Sequence, residues 1–382
     1  MIVISNIKER QSSIVRGMRH RFSTDDFELI FHLGSGAFGV VSLARCKRNG
    51  EQVALKQIRK DGMLKKNHRD RLLAERALLS DVSTQWVVTL FHTFQDQANL
   101  YMVMEYLPGG DLMSHLIRLD RFSEAETRFY ISQLVEAVHA VHRLGFIHRD
   151  IKPDNIVLTK TGHIKLIDCG LCKFDPSIKI EALASEERVL RASDPGEKGL
   201  LNSSRRLSHG FRGHLRSSVG TPQYMAPEVL NKAYDHTSDF WSVGMIAYEC
   251  LMGGTPFFDE GTETRPDKKP DVKRILHKVI NYKDFLPIPF PGVQISGEAA
   301  GFLKGLLCEA SGRMRYDQIR AHTFFRTIKW DRLHDMPAPI LPQGSIVPVT
   351  GHQKPLPAYQ PLGINKDRNM DFVGYTYNRF TD

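Results

Sequence analysis

The sequence predicts an α+β protein of two lobes, a small β-rich one followed by a larger, mostly helical one. Three observations carry this. Two β-type runs, Val40–Cys46 and Gln52–Ile58, flank Asn49-Gly50, a strong hairpin signal. Pro108-Gly109-Gly110 marks a break in composition, beyond which the pattern turns helical. The 382 residues are too many for one small core and suit two lobes plus a tail.

Each element follows in order. Residues 1–24 are basic and low in apolar content, with Lys8, Arg10, Arg16, Arg19, His20 and Arg21. After the hairpin, a helix is expected around Arg69–Ser80 and a strand over Asn99–Tyr106. Ser123 and Glu126 form a capping box that starts the next helix. In it Tyr130, Leu134, Ala137, Val138, Val141 and Leu144 share one face, and Gly145 sits where a C-cap belongs. Phe240–Met252 is apolar on every side, as a helix buried within a lobe would be. From about Arg332 the chain is proline-rich without periodicity and reads as an extended tail.

The bulk numbers narrow the class. A hydrophobic share of 41% and a charged share of 25% are those of an ordinary soluble protein. No apolar run approaches the roughly 20 residues that span a bilayer, so no transmembrane segment is expected. Met1-Ile2-Val3-Ile4 is too short for a signal-peptide core. Five scattered cysteines make no disulfide framework and point to a reducing compartment, the cytoplasm first and the nucleus second. The net charge of +9 comes without an aromatic-and-basic repeat, so no nucleic-acid partner is expected.

One run stands out chemically. His148-Arg149-Asp150-Ile151-Lys152-Pro153-Asp154-Asn155 sets an acid, a lysine and an amide at fixed offsets in one short loop. A second acid, Asp168, comes 13 residues past Asn155 and precedes Cys169-Gly170. Phosphoryl transfer needs such a set: a carboxylate to orient the acceptor hydroxyl, a cation to steady the moving group, and an amide plus a second carboxylate for magnesium. Upstream, Gly34-Ser35-Gly36-Ala37-Phe38-Gly39-Val40-Val41 is glycine-rich, which lets a backbone approach phosphates closely. It leads into a strand and hairpin, whereas a dinucleotide loop leads into a helix, and no Gly-Lys-Ser/Thr follows as in a P-loop. Val53-Ala54-Leu55-Lys56 closes the second strand, and its lysine needs an anionic partner. Glu75 on the next helix and bound phosphates are the candidates.

These motifs, with Met225-Ala226-Pro227-Glu228 and with Asp239 and Trp241 in the buried helix, occur in order over residues 27–326, and the chain resembles a eukaryotic protein kinase. The resemblance implies the bilobal protein kinase fold. Its N-lobe would cover 25–107, its C-lobe 108–326 with an extended activation segment at 168–228, and an AGC-type C-terminal tail 327–382. It implies ATP and Mg2+ as cofactors. Asp150 would accept the hydroxyl proton, Lys152 would neutralise the transferring group, and Asn155 and Asp168 would hold the metal. Lys56, paired with Glu75, would hold the α- and β-phosphates beneath a loop of Leu33, Gly34, Ser35, Gly36, Ala37, Phe38 and Gly39. Val41 and Ala54 would cover adenine from one side and Val157 from the other. Glu105 and Leu107 would bond it through their backbone, Met104 would guard the rear, and Asp111 would complete the nucleotide set. Glu228 and Arg313 are the expected structural ion pair; stranding one member would cost roughly 3–5 kcal/mol.

Glu105-Tyr106-Leu107-Pro108-Gly109-Gly110-Asp111 and Val219-Gly220-Thr221-Pro222 resemble the protein kinase A, G and C (AGC) group, which reads basic residues before a Ser or Thr. Asp111, Asp154 and Glu249 stand where that group's acids meet substrate arginines, and Thr221 joins the substrate-facing set. Two features resemble the NDR/LATS branch. The stretch from Asp168 to Glu228 is long, and its second half carries Lys198, Arg205, Arg206, Arg212 and Arg216 with no acid. Phe372-Val373-Gly374-Tyr375-Thr376-Tyr377 is similar to the branch's hydrophobic motif (372–377). Phe372 and Tyr375 would then dock beside the Glu75 helix, and phosphorylated Thr376 would lock that helix inward. Ser217 aligns with the activation-loop phosphosite, where a phosphate would pair with Arg149. An upstream kinase is therefore an expected partner, beside protein substrates with basic motifs. The basic insert reads either as a solvated loop or as an autoinhibitory segment, and Arg205-Arg206-Leu207-Ser208 as an autophosphorylation site. The branch's Mob-type coactivator binds a longer N-terminal region than residues 1–24, which counts against a Mob partner here.

The chain departs from the family at Cys169, where the family has phenylalanine. The smaller side chain forfeits packing of order 2–4 kcal/mol if neighbours do not close in. Cys169-Gly170-Leu171-Cys172 reads first as two buried thiols and, alternatively, as a redox switch. Cys169 is also the one feature favouring a reading from another class, a pseudokinase acting as a phosphate-regulated scaffold. Intact Lys56, Glu75, Asp150, Asn155 and Asp168 favour the enzyme.

Overall fold

The computed structural model describes residues 22–35, 39–63, 66–175, 177–179, 222–230, 235–258, 271–342, 372 and 375–379. Gly36, Ala37, Phe38, Ser217, Thr221, the basic insert and most of residues 1–24 lie outside them. The described residues fall into two compact units. One takes in residues up to Ser83, Val88–Pro108 and those from Gly344 onward; the other takes in Thr84–Val87 and Gly109–Gln343.

In the first unit, β1 (Phe27–Ser35), β2 (Gly39–Cys46), β3 (Gln52–Arg59), β4 (Leu90–Gln95), β5 (Asn99–Glu105) and β10 (Tyr377–Asn378) make one antiparallel sheet, ordered β1-β2-β3-β5-β4-β10. Alternation assigns its faces. Val53, Leu55, Phe94, Tyr101 and Val103 join Phe27, Ala44 and Cys46 in an apolar core. The rings of Phe27 and Phe94 stack at 5.8 Å, and those of Phe94 and Tyr101 at 4.6 Å. Ala54 and Lys56 alternate with those core positions and so face the other way, with Met104 opposite Ala54 and Val41 opposite Lys56.

The hairpin is real but its turn is not the two-residue type that Asn-Gly suggests. Arg45 and Gln52 are the last ladder pair and the Cys46 N–H still donates to the Glu51 carbonyl at 2.8 Å, so residues 47–50 make the turn. Gly50 has φ +76° while Asn49 is not in the left-handed region; the Asn49 side chain instead accepts the Glu51 N–H at 3.1 Å. Gly39 is set by packing: a Cβ there would lie 2.1 Å from the Gln57 carbonyl oxygen.

In the second unit, the helix Glu124–Arg143 begins at the expected capping box, Ser123 N–H to Glu126 at 2.7 Å and Glu126 N–H to Ser123 Oγ at 3.2 Å. It ends before Gly145, whose φ of +83° closes the turn. The helix Thr237–Met252 is buried at every position. Two short ladders position the functional loops: β6 (Phe146–Ile147) pairs with β9 (Lys173–Phe174), and β7 (Ile156–Leu158) with β8 (Ile164–Leu166). The 148–155 loop runs from β6 to β7 and the 167–172 loop from β8 to β9, so the pairing holds both loops side by side. Beyond a 3-10 turn at Trp330–Asp335 the chain has no regular secondary structure to 342. Among the described residues no helix is long and apolar enough to cross a membrane.

Candidate active site

One cluster of the predicted residues lies in the first unit. Lys56 Nζ lies 2.7 Å from Glu75 Oε1, joining the middle of β3 to the helix Lys66–Asp81. Glu75 is only 3% exposed, and a buried carboxylate is stabilised by such a cation. Leu33, Gly34, Val41, Met104, Glu105 and Leu107 are half-buried and Ser35 is exposed. The Glu105 N–H is taken by the Thr89 carbonyl at 2.9 Å.

A second cluster lies in the second unit. Lys152 Nζ lies 2.9 Å from Asp150 Oδ2, and Asn155 Nδ2 donates to the same oxygen at 3.1 Å and to the Asp150 carbonyl at 2.8 Å. Burial pushes the Asp150 pKa up, while Lys152 pulls it back and the Asp168 charge adds to the rise. The Asn155 nitrogen is spent on Asp150, which leaves its Oδ1 able to hold a metal ion. With the exposed Asp168 carboxylate this is a hard oxygen set, the kind that suits magnesium. The loop is clamped from below by Asp239 in the buried helix. Its Oδ2 accepts the His148 N–H at 2.9 Å and lies 2.8 Å from His142 Nε2, and its Oδ1 accepts the Arg149 N–H at 2.9 Å. Burial alone would raise the Asp239 pKa, but these donors hold it low. The clamp secures a strained stretch, since Arg149 has φ +68° and, in the neighbouring loop, Asp168 has φ +55°. Arg149 Nε donates to the Leu171 carbonyl at 2.7 Å, tying the two loops together.

The predicted substrate acids differ in setting. Asp154 is exposed. Glu249 is 8% exposed and accepts the Tyr224 hydroxyl at 2.6 Å. Burial, with the Asp154 charge nearby, pushes its pKa up to about 7. Asp111 caps the helix Leu112–Leu119, with both carboxylate oxygens engaged by Ser114 at 2.7 and 2.9 Å. Its neighbour across the backbone is Val157. Glu228 and Arg313 form the expected pair. Arg313 Nη2 reaches Glu228 Oε2 at 3.2 Å and the Cys308 carbonyl at 2.9 Å, Nη1 the Thr237 carbonyl at 3.0 Å, and Nε the Leu306 carbonyl at 3.0 Å.

The hydrophobic motif docks within the first unit. Phe372 and Tyr375 are 4% and 0% exposed. Gln95 donates to the Phe372 carbonyl at 3.0 Å and Thr93 Oγ1 to that of Tyr375. Tyr377 and Asn378 pair with Thr93 and His92 on the sheet edge. Tyr375 lies near Glu75, and burial with that charge drives its phenol pKa up. Thr376 is exposed, and the carbonyl of that residue accepts from Arg76 Nη2 at 3.5 Å.

Sequence reasoning missed three participants: Tyr224, Arg76 and the clamping role of Asp239. Only the last had a signal, its match to the family's buried helix; the other two are partners brought in across 25 and 300 residues of chain.

Residues 27–325 match the protein kinase domain family. The chain is 35% identical to the serine/threonine-protein kinase CBK1 of Pneumocystis carinii, over 99% of this chain and 78% of that protein. It is 37% identical to the serine/threonine-protein kinase tricornered of Drosophila pseudoobscura pseudoobscura, over 97% and 83%. It is 34% identical to the probable serine/threonine-protein kinase ndrB of Dictyostelium discoideum, over 98% and 73%. These relatives give the scaffold alternative no support. With its acid, lysine and amide clustered in one clamped loop and its β3 lysine paired to a buried glutamate, the chain belongs to the protein kinase family, as a serine/threonine kinase of the NDR/LATS branch of the AGC group.

Proposed function

We propose that this kinase transfers the γ-phosphoryl group of ATP to Ser or Thr hydroxyls preceded by basic residues, with Asp150 as the acceptor's base. The clamped cluster of Asp150, Lys152 and Asn155 carries the reading. Asp150, its pKa raised by burial, takes up the hydroxyl proton and aims the oxygen. Lys152, already seated at Asp150, offsets charge on the transferring group. Asn155 and Asp168 would hold Mg2+, which neutralises phosphate charge. Lys56, fixed by Glu75, would hold the α- and β-phosphates, with Leu33, Gly34, Ser35 and Gly39 beside it in the nucleotide set. Val41, Ala54, Met104, Glu105 and Leu107 would make the adenosine set.

Basic specificity is supported by Glu249 and Asp154, neighbouring acids of which one is buried and reluctant to ionise without a cation. A substrate arginine would supply it. The test is a set of Ser peptides with upstream arginines replaced by alanine. We expect kcat/KM to fall roughly 30-fold or more, equivalent to about 2 kcal/mol or more for an unpaired buried charge. Equal turnover of arginine and alanine peptides would refute the basic preference.

Regulation belongs to the same proposal. Phosphate on Thr376 would meet Arg76, whose Nε is buried without a partner, and would fix the Glu75 helix. Phosphate on Ser217 would pair with Arg149. An upstream kinase and basic-motif proteins are the proposed partners; a Mob-type coactivator enters only through the branch resemblance. The proposed location is the cytoplasm, with the nucleus second, supported by five cysteines of which none is in a disulfide.

A further inference from the structure

Between the two functional loops lies a group of side chains that phosphoryl transfer does not use. One ring nitrogen of His148 and the sulfurs of Cys169 and Cys172 all lie within 4.8 Å of one another. All three side chains are buried: His148 and Cys169 are 0% exposed and Cys172 is 3%. The two cysteines are the ends of a tight turn, the Cys172 N–H donating to the Cys169 carbonyl at 3.0 Å. His148 Nδ1 lies 3.4 Å from the Asp150 nitrogen, and the Cys169 side chain bonds to the same fully buried ring.

We propose that His148, Cys169 and Cys172 form a binding site for a thiophilic divalent cation, zinc(II) in the first instance. Two sulfurs and an imidazole are soft to borderline ligands, unlike the oxygen set at Asn155 and Asp168, and they select against magnesium. Bound zinc keeps its sulfur and nitrogen ligands about 3.5–3.8 Å apart, so the three groups need to draw together by little more than about 1 Å. Three protein ligands are also the number found where zinc keeps an open position. A cation would replace the protons of both thiols, which pass to solvent with no change of oxidation state, and would take the lone pair of one imidazole nitrogen. The site would pin the turn that follows Asp168 to the residue that precedes Arg149 and Asp150. The site itself stands apart from the catalytic reading; only its inhibitory effect on turnover rests on Asp168 holding magnesium.

Cobalt(II), a spectroscopic substitute for zinc, tests this on the reduced full chain in a phosphine reductant without nucleotide. We expect one equivalent to bind with a thiolate-to-cobalt charge-transfer band and visible bands of a tetrahedral centre, both erased by added zinc. The charge-transfer band should be lost or sharply diminished in Cys172→Ser and in Cys169→Phe, the second of which carries the family's own residue. Zinc should inhibit peptide phosphorylation by wild type and not by Cys169→Phe. A wild-type chain that shows no thiolate band, or a band unchanged in both variants, overturns the site whatever the kinase assay reads. A thiolate band without inhibition leaves the site standing and overturns only its coupling to Asp168.

Discussion

Replacing Glu249 by glutamine should make the protein more stable at alkaline pH while weakening its use of basic peptides. Glu249 is buried, accepts the Tyr224 hydroxyl and lies near Asp154, and its pKa rises from 4.5 to about 7. A carboxyl whose folded pKa exceeds its unfolded value holds its proton more tightly in the folded state. Its contribution to stability is therefore fully present below about pH 4.5 and falls as pH rises towards 7. The full rise corresponds to about 3 kcal/mol at 1.36 kcal/mol per pH unit. Between about pH 5.5 and pH 8, linkage gives a loss of about 2 kcal/mol in wild type that Glu249→Gln should escape, since its amide oxygen still accepts the Tyr224 hydroxyl. Thermal unfolding of a chain this long reads this as a Tm gap that widens by roughly 3 °C over that interval. In the same preparations KM for an arginine peptide should fall with rising pH in wild type and stay flat in the variant. A Tm gap independent of pH, or an unaltered pH dependence of KM, would refute the claim that a reluctant buried carboxylate reads the substrate cation.

Further outcomes follow from other contacts. Arg313→Met should cost about 3–5 kcal/mol in denaturant unfolding, because it strands Glu228 and three carbonyls, and the double variant with Glu228→Leu should recover part of that loss. Phosphorylation of Thr376 should raise activity, and Arg76→Ala should erase the gain, which rests on charge-assisted hydrogen bonds of about 1.5–3 kcal/mol; a gain of equal size in Arg76→Ala would dismiss that contact. Hydrogen peroxide, reduced to water as Cys169 and Cys172 join in a disulfide, should lower activity until dithiothreitol is added; a fall that persists in Cys169→Ser would assign the effect to another group.

What could be read in the sequence was what rests on local spacing. The capping box of Ser123 and Glu126, the uniform burial of Phe240–Met252 and the pairing of Lys56 with Glu75 each follow from periodicity or from a motif. The Asn-Gly turn was harder: its residues announce a hairpin but not its length, since the Asn49 side chain closes a longer loop. The aromatic motif signalled docking beside the Glu75 helix, yet its continuation as a strand on β4 is a backbone event without a side-chain signature. Burial also redistributed roles. Of the three acids expected to face substrate, Asp111 is spent on a helix cap, Glu249 is held in the interior by Tyr224, and only Asp154 is a solvated carboxylate. Cys169 and Cys172 read as a short motif, but the histidine that joins them lies 21 residues upstream of Cys169 and was legible only as part of the catalytic run.

The central claim is that Asp150 serves the acceptor hydroxyl. The most direct measurement is transfer of radiolabel from γ-labelled ATP to an arginine-containing Ser peptide, by the Thr376-phosphorylated chain and its Asp150→Ala counterpart, with nucleotide affinity measured on both. The account predicts a kcat lower by about 10²–10⁴-fold in the variant with nucleotide affinity little changed. Equal turnover in the two proteins, or no transfer by the wild type, would contradict it.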